Sequence, residues 1–174
     1  VDWLGESCGD IFQNLGKAYL KDPWLARDEY VFLILDHSPE NVDRFLDRHA
    51  SGALNPDDQV RVLKLLEMAR FAQLIYTSCG WFFDEVSGIE TVQILQYAVR
   101  AIQLAEELSG KYVEETFATM LAEAPSNVRD NGAWVYENYA KAAQVDMLRV
   151  GAHYAISSLF EQHPEEFRFG AFEA

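Results

Sequence analysis

The sequence predicts an all-α, bundle-like protein of about six or seven helices. Apolar residues recur at intervals of three and four along most of the 174-residue chain, and this is the period of an amphipathic helix. Residues that begin or end helices, such as Asn55 and Gly110, stand between these stretches. The alternation typical of a strand is absent before the last few residues. A chain of this length can bury one core, so a single domain over residues 1–174 is expected.

Prolines and capping residues mark the boundaries of the predicted helices. Pro23 and Pro56 suit a first helical turn, where the N–H that proline lacks has no partner within the helix. Ser38 and Asn55 are expected N-caps, and Gly52 follows a helix end. The predicted helices cover about residues 10–22, 23–36, 38–52, 55–78, 89–110, 112–124 and 133–162.

Two of these helices are expected to form a central antiparallel pair. The polar positions are Arg61, Lys64, Glu67, Arg70 and Gln73 in one helix, and Gln93, Gln96, Arg100, Gln103 and Glu107 in the other. Each set forms a narrow stripe on an otherwise apolar surface, and a helix of this kind is buried around most of its circumference. We therefore expect both helices near the centre of the domain.

The charge and the cysteines limit the possible partners. With 28 acidic and 14 basic residues, the net charge of −14 disfavours nucleic acid and anionic membrane surfaces. No apolar run approaches the roughly 18 residues of a membrane span. Cys8 and Cys79 are expected to be reduced thiols in a cytoplasmic protein. No CxxC or HExxH pair occurs, so no metal or cofactor is expected, although a nucleophilic cysteine with a histidine base stays an alternative.

The segment SCGWFFDEVSGIET (Ser78–Thr91), here called the aromatic loop, joins the two central helices. In one interpretation the loop is structural. Phe82 or Phe83 would then fill the core, and Asp84 or Ser87 would cap the following helix.

A second interpretation makes the aromatic loop a binding surface, and we favour it. Trp81 stands close in sequence to Asp84, Glu85 and Glu90. An indole ring can stack on the apolar face of a sugar, and carboxylates can accept hydrogen bonds from its hydroxyl groups. The aromatic loop is therefore a candidate carbohydrate contact, with Phe82 or Phe83 buried to hold it in place.

Three stretches of the chain resemble a known family: YTSCGWFFDEVSGIETVQILQYAVRAIQLA, CGDIFQNLGKAYLKDPWLARDEYVFLILDHSPENVDRFL and NVRDNGAWVYENYAKAAQVDMLRVGAHYAISSLFE. The resemblance is to bacterial proteins in which a catalytic domain similar to glycoside hydrolase family 57 precedes a helical region termed domain of unknown function 3536. It implies that the chain is a middle part of a larger protein, with an N-terminal barrel domain as its partner in the same polypeptide. It also implies an α-glucan or related polysaccharide as the ligand.

The resemblance also implies roles for particular residues. In family 57 the catalytic carboxylates belong to the barrel, so no catalytic residue is expected here, and the helical region lends aromatic and polar contacts to the cleft. A family segment, Ser-Asp-Trp-Pro-Phe followed by Tyr-Ala-x-x-Arg, is similar to Ser78–Arg100, although Gly80 and Phe82 replace its Asp and Pro. The predicted substrate-binding residues are Trp81, Phe82, Asp84, Glu85, Glu90 and Arg100.

Two other functions stay open from the sequence. The chain could be a helical protein–protein interaction module that docks through Trp81 and Phe82. It could also be a hydrolase in its own right, with a carboxyl pair drawn from the acidic residues of the aromatic loop. Elsewhere, His153 is expected in the core, and Asp130 or Asn131 is expected to cap the long helix that follows.

Overall fold

The computed structural model describes residues 1–144 and 146–162, together with the backbone of residues 168–169 and 172–173. The chain divides into two units, Val1–Ala142 and Ala143–Ala174. The α-helices of the first unit are α1 (Asp2–Gly16), α2 (Pro23–Glu29), α3 (Val31–Leu35), α4 (Pro39–His49), α5 (Pro56–Leu74), α6 (Ile89–Ser109), α7 (Glu114–Ala122) and α8 (Gly132–Val135). The other helical segments are a 3-10 turn (Ser78–Trp81), a π-helical turn (Tyr136–Ala140) and a second 3-10 turn (Lys141–Ala143).

In the second unit the structure describes α9 (Met147–Ser157) and a pair of very short strands. Strand β1 (Arg168–Phe169) pairs antiparallel with β2 (Phe172–Glu173). The described part of the chain has nine α-helices, somewhat more than the six or seven predicted, and the all-α class is confirmed.

The extra helices arise where the sequence predicted different boundaries. Helix α1 begins at Asp2 rather than near residue 10, because Leu4 and Cys8 continue the buried stripe toward the N-terminus. The predicted helix 23–36 divides at Tyr30 into α2 and α3. The predicted helix 133–162 is interrupted after α8 by the π-helical turn, whose hydrogen bonds span five residues instead of four.

Side-chain caps fix several helix starts. Asp22 accepts hydrogen bonds from two backbone N–H groups of α2, and Asn55 accepts one from the N–H of Asp58, as expected for an N-cap. Asn131 likewise caps α8, which confirms one of the two residues proposed there. Ser38 occupies the predicted N-cap position of α4, but its side chain makes no capping hydrogen bond there.

Helices α5 and α6 form the predicted antiparallel pair at the centre of the first unit. The guanidinium of Arg61, early in α5, donates to the carbonyl of Leu108 at the end of α6 (3.1 Å). Phe71, near the end of α5, contacts Tyr97 in the first half of α6, with ring centroids 6.1 Å apart. Residues late in one helix thus face residues early in the other. No residue of α5 from Val62 through position 72 is exposed, as the narrow polar stripe predicted.

A buried histidine joins α4 to α2. His49 is only 4% exposed, and its Nε2 lies 2.9 Å from Oε2 of Glu29. The same carboxylate accepts from the exposed side chain of Arg48 at 2.8 Å. Phe45 packs against the imidazole with ring centroids 4.5 Å apart. This small polar centre fixes the C-terminal end of α4 against α2.

Candidate functional site

Gly80 fixes the aromatic loop to α6. A Cβ atom at this position would lie 2.0 Å from Cγ1 of Ile94, so only glycine allows the loop backbone to come so close. The hydroxyl of Thr91 donates to the carbonyl of Gly80 at 3.1 Å. At the other end, the hydroxyl of Thr77 donates to the carbonyl of Leu74 at 2.6 Å, which fixes the exit from α5. The aromatic loop is therefore anchored through its backbone.

The three consecutive aromatic side chains lie on the surface of the protein. Trp81 is 56% exposed, Phe82 80% and Phe83 55%. The two phenylalanine rings contact each other edge to face, with centroids 5.0 Å apart. The expectation that Phe82 or Phe83 fills the core is wrong. Gly80 occupies the position against α6 where a large ring would not fit, and Val86 supplies the apolar contact with the core.

Glu85 joins the aromatic loop to a distant segment, residues 123–131 between α7 and α8, here called the connector. Its Oε1 accepts from the hydroxyl of Ser126 (2.6 Å) and from the backbone N–H of Ser87 (2.9 Å). Its Oε2 accepts from the backbone N–H of Asn127 (2.7 Å). Both oxygens are therefore engaged within the protein, and Glu85 holds two loops in one arrangement.

These hydrogen bonds determine the electrostatics of Glu85. The Ser126 hydroxyl, followed by the two backbone N–H groups, stabilises the ionised carboxylate and lowers its pKa from 4.5 to about 2. A general acid for glycoside hydrolysis must carry a proton near neutral pH, which requires a raised pKa. Glu85 is thus unsuited to be the acid of a carboxyl pair in this loop.

Of the remaining predicted site residues, Asp84 and Glu90 belong to the aromatic loop and Arg100 lies further along α6. Asp84 is exposed, and Glu90 is half-buried in the first turn of α6. The start of α6 has no side-chain cap, so the expected capping by Asp84 or Ser87 is wrong. Arg100 lies ten residues beyond Glu90, about 15 Å along the helix axis at 1.5 Å per residue. Its guanidinium donates to Gln103 at 2.6 Å. Its part in sugar contact stays a prediction.

A second cluster of aromatic and charged side chains was missed in the sequence. The guanidinium of Arg129 lies over the rings of Trp134 and Tyr139, 5.0 and 5.5 Å from their centroids. The two rings meet edge to face, with centroids 5.4 Å apart. We call these three residues the Arg129 cluster. The residues of NVRDNG are typical of a turn and predicted a connecting segment. Nothing in the local pattern indicated that its arginine would stack on two aromatic rings that follow it in the chain.

The two cysteines and His153 occupy different environments. Cys8 is buried in α1 and Cys79 is exposed in the aromatic loop, and both are free thiols, as predicted. Burial raises the pKa of the Cys8 thiol to about 12, so it is a poor candidate for a nucleophile. His153 is exposed on α9, and the expectation that it lies in the core is wrong.

The described ranges contain neither a metal-binding group nor a membrane-spanning helix. No group of three or more His, Cys, Asp or Glu side chains in residues 1–144 and 146–162 is arranged to hold a metal ion. Among the helices that the structure describes, none has both the length and the apolar character needed to span a membrane.

Comparison with known proteins gives one result. No curated protein and no solved structure matches the chain. A family model described as a domain of unknown function (DUF3536) matches residues 1–174, the whole of the sequence. The chain therefore belongs to this family, DUF3536.

Proposed function

We propose that this domain contacts carbohydrate through its aromatic loop and serves as the helical lid and support of a catalytic domain similar to glycoside hydrolase family 57. In this proposal the catalytic barrel precedes the domain in the same polypeptide and supplies the catalytic carboxylates. The helical domain contributes binding contacts to an α-glucan or a related polysaccharide. The two free thiols support a cytoplasmic location, because reduced cysteines are typical of that compartment.

The observation that carries the proposal is an anchored loop with exposed aromatic rings. Trp81 presents more than half of its surface to solvent, while Gly80 and Glu85 on either side are held by α6 and the connector. A stacking platform that is already in place loses less affinity to ordering when the ligand binds. An exposed, fixed indole is therefore well suited to contact a sugar ring.

We propose a division of roles among the carboxylates that differs from the one predicted from the sequence. Both oxygens of Glu85 accept hydrogen bonds from the protein, so we assign it to positioning the loop. Asp84 is the exposed carboxylate next to the three aromatic residues. Asp84 is thus the better candidate for accepting a hydrogen bond from a sugar hydroxyl.

A calorimetric titration of the full natural polypeptide with maltoheptaose tests this proposal. Trp81→Ala is expected to weaken binding by about 1 to 3 kcal/mol, the order expected for losing an aromatic anchor. Trp24→Ala is a suitable control, because that indole is also partly exposed but lies on α2. Equal affinities for the wild type and Trp81→Ala would contradict the proposal.

A protein partner is the second candidate, and one observation favours it. Phe82 and Phe83 are exposed side by side, and paired apolar rings of this kind often anchor a protein interface. The two proposals predict different results for Phe82→Ala and Phe83→Ala. If these variants lose a protein that co-purifies with the wild type, and their affinity for maltoheptaose is unchanged or absent, the results favour a protein-interaction module over a sugar-binding domain.

A further inference from the structure

Three arginines of the first unit stack on aromatic rings, and they differ in what their guanidinium N–H groups contact. Arg27 lies over Trp24 at 4.8 Å and Arg70 over Phe71 at 5.2 Å. Arg27 also pairs with an aspartate at 2.5 Å, and Arg70 with a glutamate at 3.0 Å. Each of these two guanidinium groups therefore has a carboxylate of the protein as its counter-ion.

Arg129 has the stacking contacts without the carboxylate. Its guanidinium lies over Trp134 and Tyr139, and no ion pair or side-chain hydrogen bond joins it to any residue that the structure describes. This is unexpected in a chain with 28 acidic residues and 14 basic ones. A stacked guanidinium keeps its N–H groups at the edge of the plane, where they match the two oxygens of a carboxylate or phosphate.

The backbone around Arg129 is also fixed. The hydroxyl oxygen of Ser126 accepts from the N–H of Arg129 at 2.9 Å and from the N–H of Val128 at 3.2 Å. The same hydroxyl donates to Glu85. At the other side, Asn131 caps α8, the helix that carries Trp134. The backbone on both sides of Arg129 is therefore fixed by hydrogen bonds, and its side chain is fixed by the two aromatic rings. Little conformational entropy of Arg129 is lost when a ligand binds.

The carboxylate that is linked to Arg129 through Ser126 is already engaged by other groups of the protein. The carboxylate of Glu85 lies closest along the hydrogen-bond network, and it already accepts from three protein donors. Both of its oxygens are therefore occupied by these donors and do not serve as the counter-ion of the Arg129 guanidinium.

We propose that the Arg129 cluster binds an oxyanion, either a carboxylate or a phosphate, carried by a sugar-like ligand. The guanidinium forms two parallel hydrogen bonds to the anion, and the half-buried rings of Trp134 and Tyr139 contact the adjoining ring. The sugar part of this proposal rests on the proposed function, whereas the anion part does not.

The experiment is an NMR titration of the protein with glucuronate, glucose 6-phosphate and glucose. We expect at least one of the two anions to shift the indole N–H signal of Trp134 saturably, and glucose to bind about tenfold more weakly or not at all. Stronger binding of glucuronate identifies a carboxylate as the preferred group, and stronger binding of glucose 6-phosphate identifies a phosphate. Anion binding is expected to weaken as salt is raised.

Two variants separate a binding role from a structural one. Arg129→Gln is expected to weaken anion binding by about tenfold or more, since both the charge and the planar donor pair are lost. Arg27→Gln is the matched control, because it removes a stacked arginine that already has a carboxylate partner, and it is expected to leave anion affinity unchanged. Should Arg129→Gln fold poorly, Arg129→Lys retains the charge and is still expected to bind more weakly than the wild type.

The proposal is overturned if Arg129→Gln binds both anions as tightly as the wild type, or if neither anion binds the wild type better than glucose. Maltoheptaose in the same titration separates this result from the proposed function. Anion binding at Arg129 without any maltoheptaose contact at Trp81 would support the anion site and contradict sugar binding by the aromatic loop. The reverse result would support sugar binding by the aromatic loop and contradict the anion site.

Discussion

The hydroxyl of Ser126 donates a 2.6 Å hydrogen bond to the carboxylate of Glu85, which lies 41 residues earlier in the chain. This contact joins the aromatic loop, with its exposed rings, to the connector that carries Arg129. The two candidate contact surfaces of the first unit are therefore linked by one hydrogen-bonded carboxylate, and changes at Glu85 are expected to reach both.

Acid should weaken the stabilisation that Glu85 provides. Its pKa is lowered from 4.5 to about 2, so the folded protein favours the ionised form more than the unfolded chain does. The stabilising contribution is therefore complete above about pH 4.5 and is lost as the pH falls toward 2. The melting temperature of Glu85→Gln should lie below that of the wild type at pH 7, and the difference should shrink toward pH 2.

The neighbouring exposed carboxylate provides the control for this measurement. Asp84→Asn should melt close to the wild type at pH 7. A difference between wild type and Glu85→Gln that stays constant from pH 7 to 2 would contradict the assigned role of the ionised carboxylate.

Substitution of Gly80 should displace the aromatic loop. In Gly80→Ala the new methyl group would lie 2.0 Å from Cγ1 of Ile94, and such overpacking typically costs about 1–3 kcal/mol. Chemical denaturation measures the loss. Gly9→Ala is the control, since nothing lies within 4 Å of its Cβ position and alanine is the better helix former in α1. Combining Gly80→Ala with Ile94→Ala should cost less than the sum of the two single changes, and strict additivity would contradict the predicted clash.

Removal of the buried histidine should destabilise the first unit. His49→Ala deletes a buried ring and its hydrogen bond with Glu29, so a loss of about 1–3 kcal/mol in the free energy of unfolding is expected. Arg48→Ala removes the exposed partner of the same carboxylate and should cost less than about 1 kcal/mol. Equal losses in the free energy of unfolding for the two variants would contradict the larger contribution assigned to the buried His49.

The two cysteines should react with alkylating reagents at different rates. Cys79 is exposed, whereas Cys8 is buried and its thiol has a pKa raised to about 12, so very little thiolate forms at pH 8. Mass spectrometry without reductant should find one modified thiol in the native protein and two after unfolding. Modification of both in the native protein would place Cys8 on the surface.

Truncation of Trp81 should leave stability nearly unchanged. More than half of this side chain faces solvent, and a surface change of this kind usually alters the free energy of unfolding by about 0.5 kcal/mol or less. Thermal unfolding of Trp81→Ala provides the measurement. A sharp fall in the melting temperature would assign Trp81 to the core and support the structural interpretation of the loop.

The central helix pair was predictable because its signal is local. The spacing of polar residues along α5 and α6 directly reports how much of each helix surface is covered. The cap at Asn55 and the helix end at Gly110, whose φ is +68°, follow from the chemistry of single residues. Such features depend on neighbours within a few positions, and the sequence displays them.

The orientation of the aromatic loop depended on contacts that the sequence does not display. Hydrophobicity favoured burial of Phe82 or Phe83, but the close approach of Gly80 to Ile94 left the rings outside. Glycine occupies the position that faces α6, because the space there is too small for an aromatic ring. The free energy gained by burying a larger ring therefore did not determine which residue faces α6.

The sequence by itself determined the helical class, the central pair and the aromatic content of the loop that joins its two helices. Only the tertiary structure decided that Glu85 would bind the connector and that Arg129 would stack on Trp134 and Tyr139. Periodicity reports which face of a helix is covered. The pairing of polar groups far apart in the chain depends instead on how the helices pack, because packing brings donors and acceptors within hydrogen-bonding distance.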